Sequence, residues 1–307
     1  MGFPFSSLTA LVLSAGMCTV SLSSQAQSVD STTLRRIQQT GVISIGHRVA
    51  SVPFSYLDSR RRPIGYTIDV CQRVVDAVRE RLQMPSLEVR YVGVTAATRL
   101  PMLASGAIDL ECGVTTNTVE RQRFAAFSLT TFVAASRMLS RKASQLTSVD
   151  DLRGRTVVST VATTSMQYLA SLNQAAKLDM RILGGQDDAD AMRILRNGQA
   201  VAFVMDDVLL RSLLAGARDA DDFDIGSDAL SVEPYAIGLP RNDAAFKQLV
   251  DGVILDIFKR GDLHTLHKRW FQSPIPPRGI NLQIPMSDQL QRLIRQPIDS
   301  PDPQNYR

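Results

Sequence analysis

The chain has 307 residues, 44% of them hydrophobic and 21% charged, with a formal net charge of +4 from 34 basic and 30 acidic side chains. Those proportions belong to a soluble globular protein of one or two domains and exclude a coiled coil, a collagen-like repeat and a disordered chain. The basic excess is thin, lysine contributes only five residues and there is one Trp, so no nucleic-acid partner is expected.

Residues Leu8 to Leu22 are apolar and uncharged, and Ser24-Gln25-Ala26 follows with small residues at the two positions that a signal peptidase reads. Residues 1–26 are therefore expected to be a cleaved secretory signal and the mature protein to be periplasmic. A lipoprotein variant through Cys18 is disfavoured by Met17 before it. No later window is long and apolar enough to cross a bilayer. After removal of the leader only Cys71 and Cys112 remain; an oxidising compartment would let them pair, which spacing does not show, and two buried free thiols are the plainer expectation. His47, His264 and His267 form no cluster with cysteine, so neither a metal nor a cofactor is expected.

In chain order, Val42–Ile45 reads as a strand, Ile68–Leu82 as a helix by its apolar spacing, and Leu87–Val92 as an alternating strand. A helix over Thr98–Ala104 and a short strand over Ile108–Gly113 come next. A second series follows: a capped turn at Ser148–Leu152, a strand at Thr156–Ser159, and a helix opening at Thr163-Thr164-Ser165. Then come a strand at Met180–Leu183, a helix at Asp188–Arg196, a buried strand at Val201–Met205 and a helix at Asp207–Leu214. Tyr235–Leu239 resumes the strand pattern and Ala244–Phe258 is a long helix. The Pro-containing segment 281–307 holds one short helix near Asp288–Ile294. Two successive βα series predict an α/β fold in two lobes.

Ligands of open α/β sheets sit beyond the carboxyl ends of strands and between domains. The residues placed there include Arg48, Arg99, Arg121, the threonines at 163 and 164, and Asp206. Arginine forks bind carboxylates, a helix start suits an anion, and a lone carboxylate suits an ammonium group. Taken together they fit an acidic amino acid. No nucleophile–base arrangement accompanies them, so an enzyme is not expected. Each residue also has a plain structural reading: a surface ion pair for an arginine, a helix cap for Thr163-Thr164-Ser165, and first-turn acids answering a helix dipole for Asp206 and Asp207.

Four stretches carry a resemblance to a known family: Gly46–Tyr56 (GHRVASVPFSY), Glu111–Gln122 (ECGVTTNTVERQ), Val201–Asp207 (VAFVMDD) and Arg269–Pro277 (RWFQSPIPP). They resemble the periplasmic glutamate/aspartate-binding proteins among the family 3 solute-binding proteins of ABC importers, over about Leu34 to Leu293. The resemblance implies a type II periplasmic-binding fold, with lobe 1 at 31–133 plus 235–280, lobe 2 at 134–234, and two crossing strands between them. It implies a monomer that captures an amino acid by hinge closure and delivers it to a membrane permease. By position Arg121 clamps the α-carboxylate, with Thr116 beside it and Thr164 donating from the helix start, and Asp206 takes the α-ammonium. Arg48 and Arg99 match the holders of the side-chain carboxylate.

Three positions depart from that pattern. Val114 and Ala96 stand where serines are usual, and Asp188 stands in place of a histidine near the ligand side chain. Counting Arg48, Arg99 and Arg121 against Asp188 and Asp206 leaves one positive charge, which a dicarboxylic amino acid would neutralise. Asp188 leaves open a ligand with a donor group, such as glutamine or asparagine. Two further alternatives are a cyclohexadienyl-dehydratase-like enzyme, with Asp188 or Glu111 as general acid, and a sensory module docking on a receptor.

Overall fold

A computed structural model describes residues 1–2 and 31–307. The expected leader and Cys18 lie outside the described residues. Strand Val42–His47 opens the first sheet, whose order is Glu88–Gly93, Val42–His47, Leu110–Glu111, Gly238–Leu239 and Ala126–Phe127. The first three are parallel, and Gly238–Leu239 runs against both of its neighbours. Helix Tyr66–Leu82 packs an apolar stripe of Val70, Val74, Val75 and Val78 into the core beside helices Ala244–Lys259 and Asp262–Phe271. Parallel pairing needs such helical crossovers, which explains the alternation read from the sequence.

The chain then crosses into a second sheet through Phe132–Arg141. Its order is Arg181–Gly185, Thr156–Thr160, Ala202–Asp206, Phe132–Arg141 and Phe223–Ile225, and it returns through Ser231–Tyr235. The outgoing and returning strands are antiparallel neighbours, with Phe132 opposite Tyr235 and Ser136 opposite Ser231. The two lobes are thus joined by a hydrogen-bonded ribbon. An aromatic cluster packs at its base, where Phe54 meets Phe132 at 4.9 Å and Phe132 stacks on Phe271 at 5.1 Å between ring centroids.

Helices Asp188–Arg196 and Asp207–Leu214 have the ends that the sequence predicts. The strand expected over Ile108–Gly113 shrinks to Leu110–Glu111. Strand Phe132–Arg141 and helices Thr32–Thr40 and Asp262–Phe271 were not anticipated.

The expected free thiols are a disulfide. Cys71 on helix Tyr66–Leu82 and Cys112 beyond strand Leu110–Glu111 are bonded, with Cα atoms 6.3 Å apart. Packing of that helix on the sheet brings the two within reach, and the spacing of 41 residues carries no sign of it.

The C-terminal segment lies on the body of the protein. Helix Asp288–Arg295 buries Leu290 and Leu293. The chain then runs to the foot of the ribbon, where Thr130 N donates to Ile298 O at 2.9 Å and the Thr130 and Tyr306 hydroxyls meet at 2.8 Å. Among the described residues no helix is long and apolar enough to cross a membrane.

Candidate binding site between the lobes

The parallel strands of both sheets end at one interlobe cavity. It is lined by Arg48, Arg99, Val114, Thr116, Thr163, Thr164, Asp188, Met205 and Asp206. Eight of the nine residues singled out in the sequence are on that wall. The ninth, Arg121, sits behind it, with its Nη1 donating to Thr116 O at 3.0 Å. A larger cavity of about 580 Å³ adjoins and shares Arg48 and Asp188.

Local sequence explains how the arginine end is held. Thr95 and Thr98 bond each other's backbone N–H groups and fix the start of helix Arg99–Ala104. Arg99 is thereby aimed inward, 2% exposed, with Nη1 donating to Val114 O at 2.8 Å. The serine hydroxyl absent at 114 is not needed for that contact, because the carbonyl makes it. The Arg99 Nε–H has no partner among the described residues. Burial, followed by repulsion from Arg121, pulls this guanidinium down to about 9 against the attraction of Glu111. Glu111 is fully buried with both carboxylate oxygens unpaired among the described residues. A Cβ at Gly113 would stand 2.3 Å from Glu111 Oε1 and 3.0 Å from Arg48 Cγ, so a larger residue there would have to displace the Glu111 carboxylate.

The acidic end is built differently. Asp206 closes strand Ala202–Asp206 and precedes helix Asp207–Leu214 without capping it, which leaves its carboxylate to the cavity. The Tyr235 hydroxyl donates to Asp206 Oδ2, and Ser165 Oγ donates to Oδ1 at 3.4 Å. Burial, then the charge of Glu233, pushes the Asp206 carboxyl well above the usual carboxylate range, against the hydrogen bond from Tyr235. Glu233 itself is 2% exposed. Its Oε2 accepts from Thr116 Oγ1 at 2.7 Å and Thr164 Oγ1 at 2.8 Å, and its Oε1 accepts from Ser231 Oγ.

Thr163 is the cap of helix Thr164–Ala175. Its hydroxyl accepts from Met166 N at 3.2 Å and donates to Thr160 O at 2.6 Å. Asp188 accepts from Thr160 Oγ1 at 2.6 Å. With Glu233 and Glu111 buried beside it, the site holds more acids than the sequence count included, and charge arithmetic alone no longer selects a dicarboxylate. Glu233 and Tyr235 escape the strand-end rule, because the sequence opens its strand only at Tyr235 whereas both belong to the returning strand Ser231–Tyr235, at alternate positions that share one face.

Two α/β lobes joined by a two-stranded ribbon, with polar strand ends converging on the cavity between them, define a two-lobed ligand-binding protein. Residues 43–273 match the bacterial extracellular solute-binding proteins, family 3, and the chain belongs to that family. It is 43% identical over 268 residues, 87% of this chain and 89% of the relative, to the L-glutamate/L-aspartate-binding protein of Pseudomonas aeruginosa. It is 39% identical over 296 residues, 96% and 97% of the two chains, to the glutamate/aspartate import solute-binding protein of Escherichia coli. Among solved structures, an ancestral amino-acid-binding protein described as a precursor of cyclohexadienyl dehydratase superposes with a TM-score of 0.66 at 23% identity. That match covers 78% of this chain and all of the other, and it shows the type II periplasmic-binding fold.

Proposed function

We propose that this protein captures L-glutamate or L-aspartate between its lobes in the periplasm and delivers it, as a monomer, to the membrane permease of an ABC importer. The observation that carries the reading is Arg99, a buried guanidinium on the cavity wall whose Nε–H has no partner among the described residues and whose charge burial disfavours. A ligand carboxylate would satisfy the donor and stabilise the charge. The ligands for which the two relatives are named support the same choice. In this reading Arg48 and Arg99 hold the side-chain carboxylate, Arg121 and the start of helix Thr164–Ala175 hold the α-carboxylate, and Asp206 takes the α-ammonium.

Asp188 favours a second reading. Thr160 occupies one of its oxygens and the carboxylate stands on the cavity wall, where it could accept from a side-chain amide of glutamine or asparagine. An enzyme is disfavoured: Glu111 does not line the cavity, and both relatives are binding proteins.

The test is a thermal-shift screen of ligand-stripped mature protein against the common amino acids and small dicarboxylates, since a ligand of the folded state raises the melting temperature. Shifts with glutamate or aspartate are expected. Shifts confined to glutamine and asparagine would reassign the side-chain pocket, and silence across the panel would sink the amino-acid reading.

A further inference from the structure

We propose that Glu233, on the returning strand of the hinge ribbon, is the positioning residue that makes this site select an α-amino group: by taking the hydroxyl protons of Thr116 and Thr164 it leaves both oxygens as acceptors facing the cavity. The inference rests on the amino-acid reading above and deepens it.

A threonine hydroxyl has one proton and two lone pairs. A carboxylate at 2.7 and 2.8 Å from Thr116 Oγ1 and Thr164 Oγ1 can only accept, so both protons point at Glu233 Oε2. Ser231 Oγ donates to its other oxygen and holds the carboxylate in place. The two hydroxyls come from opposite lobes. Thr116 bridges to Tyr235 beside the first sheet, and Thr164 begins the helix after Thr156–Thr160 in the second. Both line the same cavity as Asp206.

The consequence is a pole without free side-chain donors. Asp206 accepts from Tyr235 and Ser165, and the two threonine oxygens have lone pairs to offer and no proton to give. An ammonium group, which brings three donors and a positive charge, matches that set. A second carboxylate or a methylene group there would meet acceptors only. Glu233 need not touch the ligand, because it acts through the threonines.

The probes are L-glutamate and glutarate, which share two carboxylates and differ in the amino group. Titration calorimetry on ligand-stripped wild type and Glu233→Gln gives the ratio of the two affinities. Wild type is expected to prefer glutamate, and Glu233→Gln to narrow that ratio at least tenfold, with glutarate affinity kept or improved. A residue that only holds the fold would weaken both ligands alike. Thr116→Val with Thr164→Val keeps the side-chain shape, so it should narrow the ratio similarly. Adding Glu233→Gln to that pair should change the ratio by less than twofold. If Glu233→Gln does not fold, the paired threonine variant decides. An unchanged ratio in wild type and variants, or equal losses for both ligands, overturns this inference alone. Wild type that binds no amino acid overturns it together with the reading beneath it.

Discussion

The two ends of the interlobe cavity solve the burial of charge in opposite ways. At the acidic end each carboxylate accepts from hydroxyl donors: Asp206 from Tyr235 and Ser165, Glu233 from Thr116, Thr164 and Ser231. At the basic end, among the described residues, Arg99 has one bond to a carbonyl, and Glu111 attracts it through space without a hydrogen bond. The first end carries its own hydrogen-bond donors. The second is under electrostatic tension that a carboxylate relieves.

The comparison can be broken most forcefully at its acidic end. Asp206→Ala should weaken every α-amino acid by ~100-fold or more, the scale of truncating one partner of a buried charge pair, by calorimetry. Arg99→Ala should cost glutamate and aspartate on the order of 30-fold or more, and glutamine much less. Equal, small losses for all three would remove Arg99 from the side-chain carboxylate.

The two ends should also titrate in opposite directions. Asp206 stands above its unfolded pKa, so it favours the folded state below that unfolded value, and the contribution is lost as pH rises through the folded pKa. A ligand ammonium favours the ionised form. Glutamate affinity should therefore fall as pH drops through that raised pKa, by up to about tenfold per unit. Calorimetry in buffers of different ionisation enthalpy should show proton release on binding there. Glutarate, which depends on the arginines, should instead weaken as pH rises above about 9.

Smaller effects sharpen the picture. Asp188→Asn removes a carboxylate beside the proposed ligand carboxylate and should raise the glutamate-to-glutamine preference by roughly three- to tenfold. Reducing the Cys71–Cys112 disulfide should lower the melting temperature, since closing a loop of this length stabilises by about 4 kcal/mol in the chain-entropy picture. It should leave the affinity within about twofold, because neither sulfur reaches the cavity.

Much of this architecture is legible without coordinates, and what is illegible has physical causes. The helices Asp188–Arg196 and Asp207–Leu214 announce themselves by acidic starts and apolar periodicity. Strand Phe132–Arg141 does not, because Ser136 and Ser140 take buried positions in a strand flanked on both sides and blur the apolar alternation. Arg48, Arg99 and Asp206 follow from a rule about parallel strand ends. Glu233 obeys no such rule: it faces the cleft from the middle of a crossing strand, and its partners come from three separate segments. The disulfide joins elements whose closeness only the packed core creates.

The joining ribbon has a kinematic consequence. Two strands bonded side by side bend readily across their length and resist shear along it, so the lobes have one easy axis of swing. Glu233 and Tyr235 ride on that axis. In the proposed hinge motion Arg48 and Arg99 would travel with one lobe and Thr164 and Asp188 with the other, while the ribbon and the two side chains on it would move least. On closure, Thr116 from one lobe and Thr164 from the other would thus meet at one carboxylate on the fulcrum.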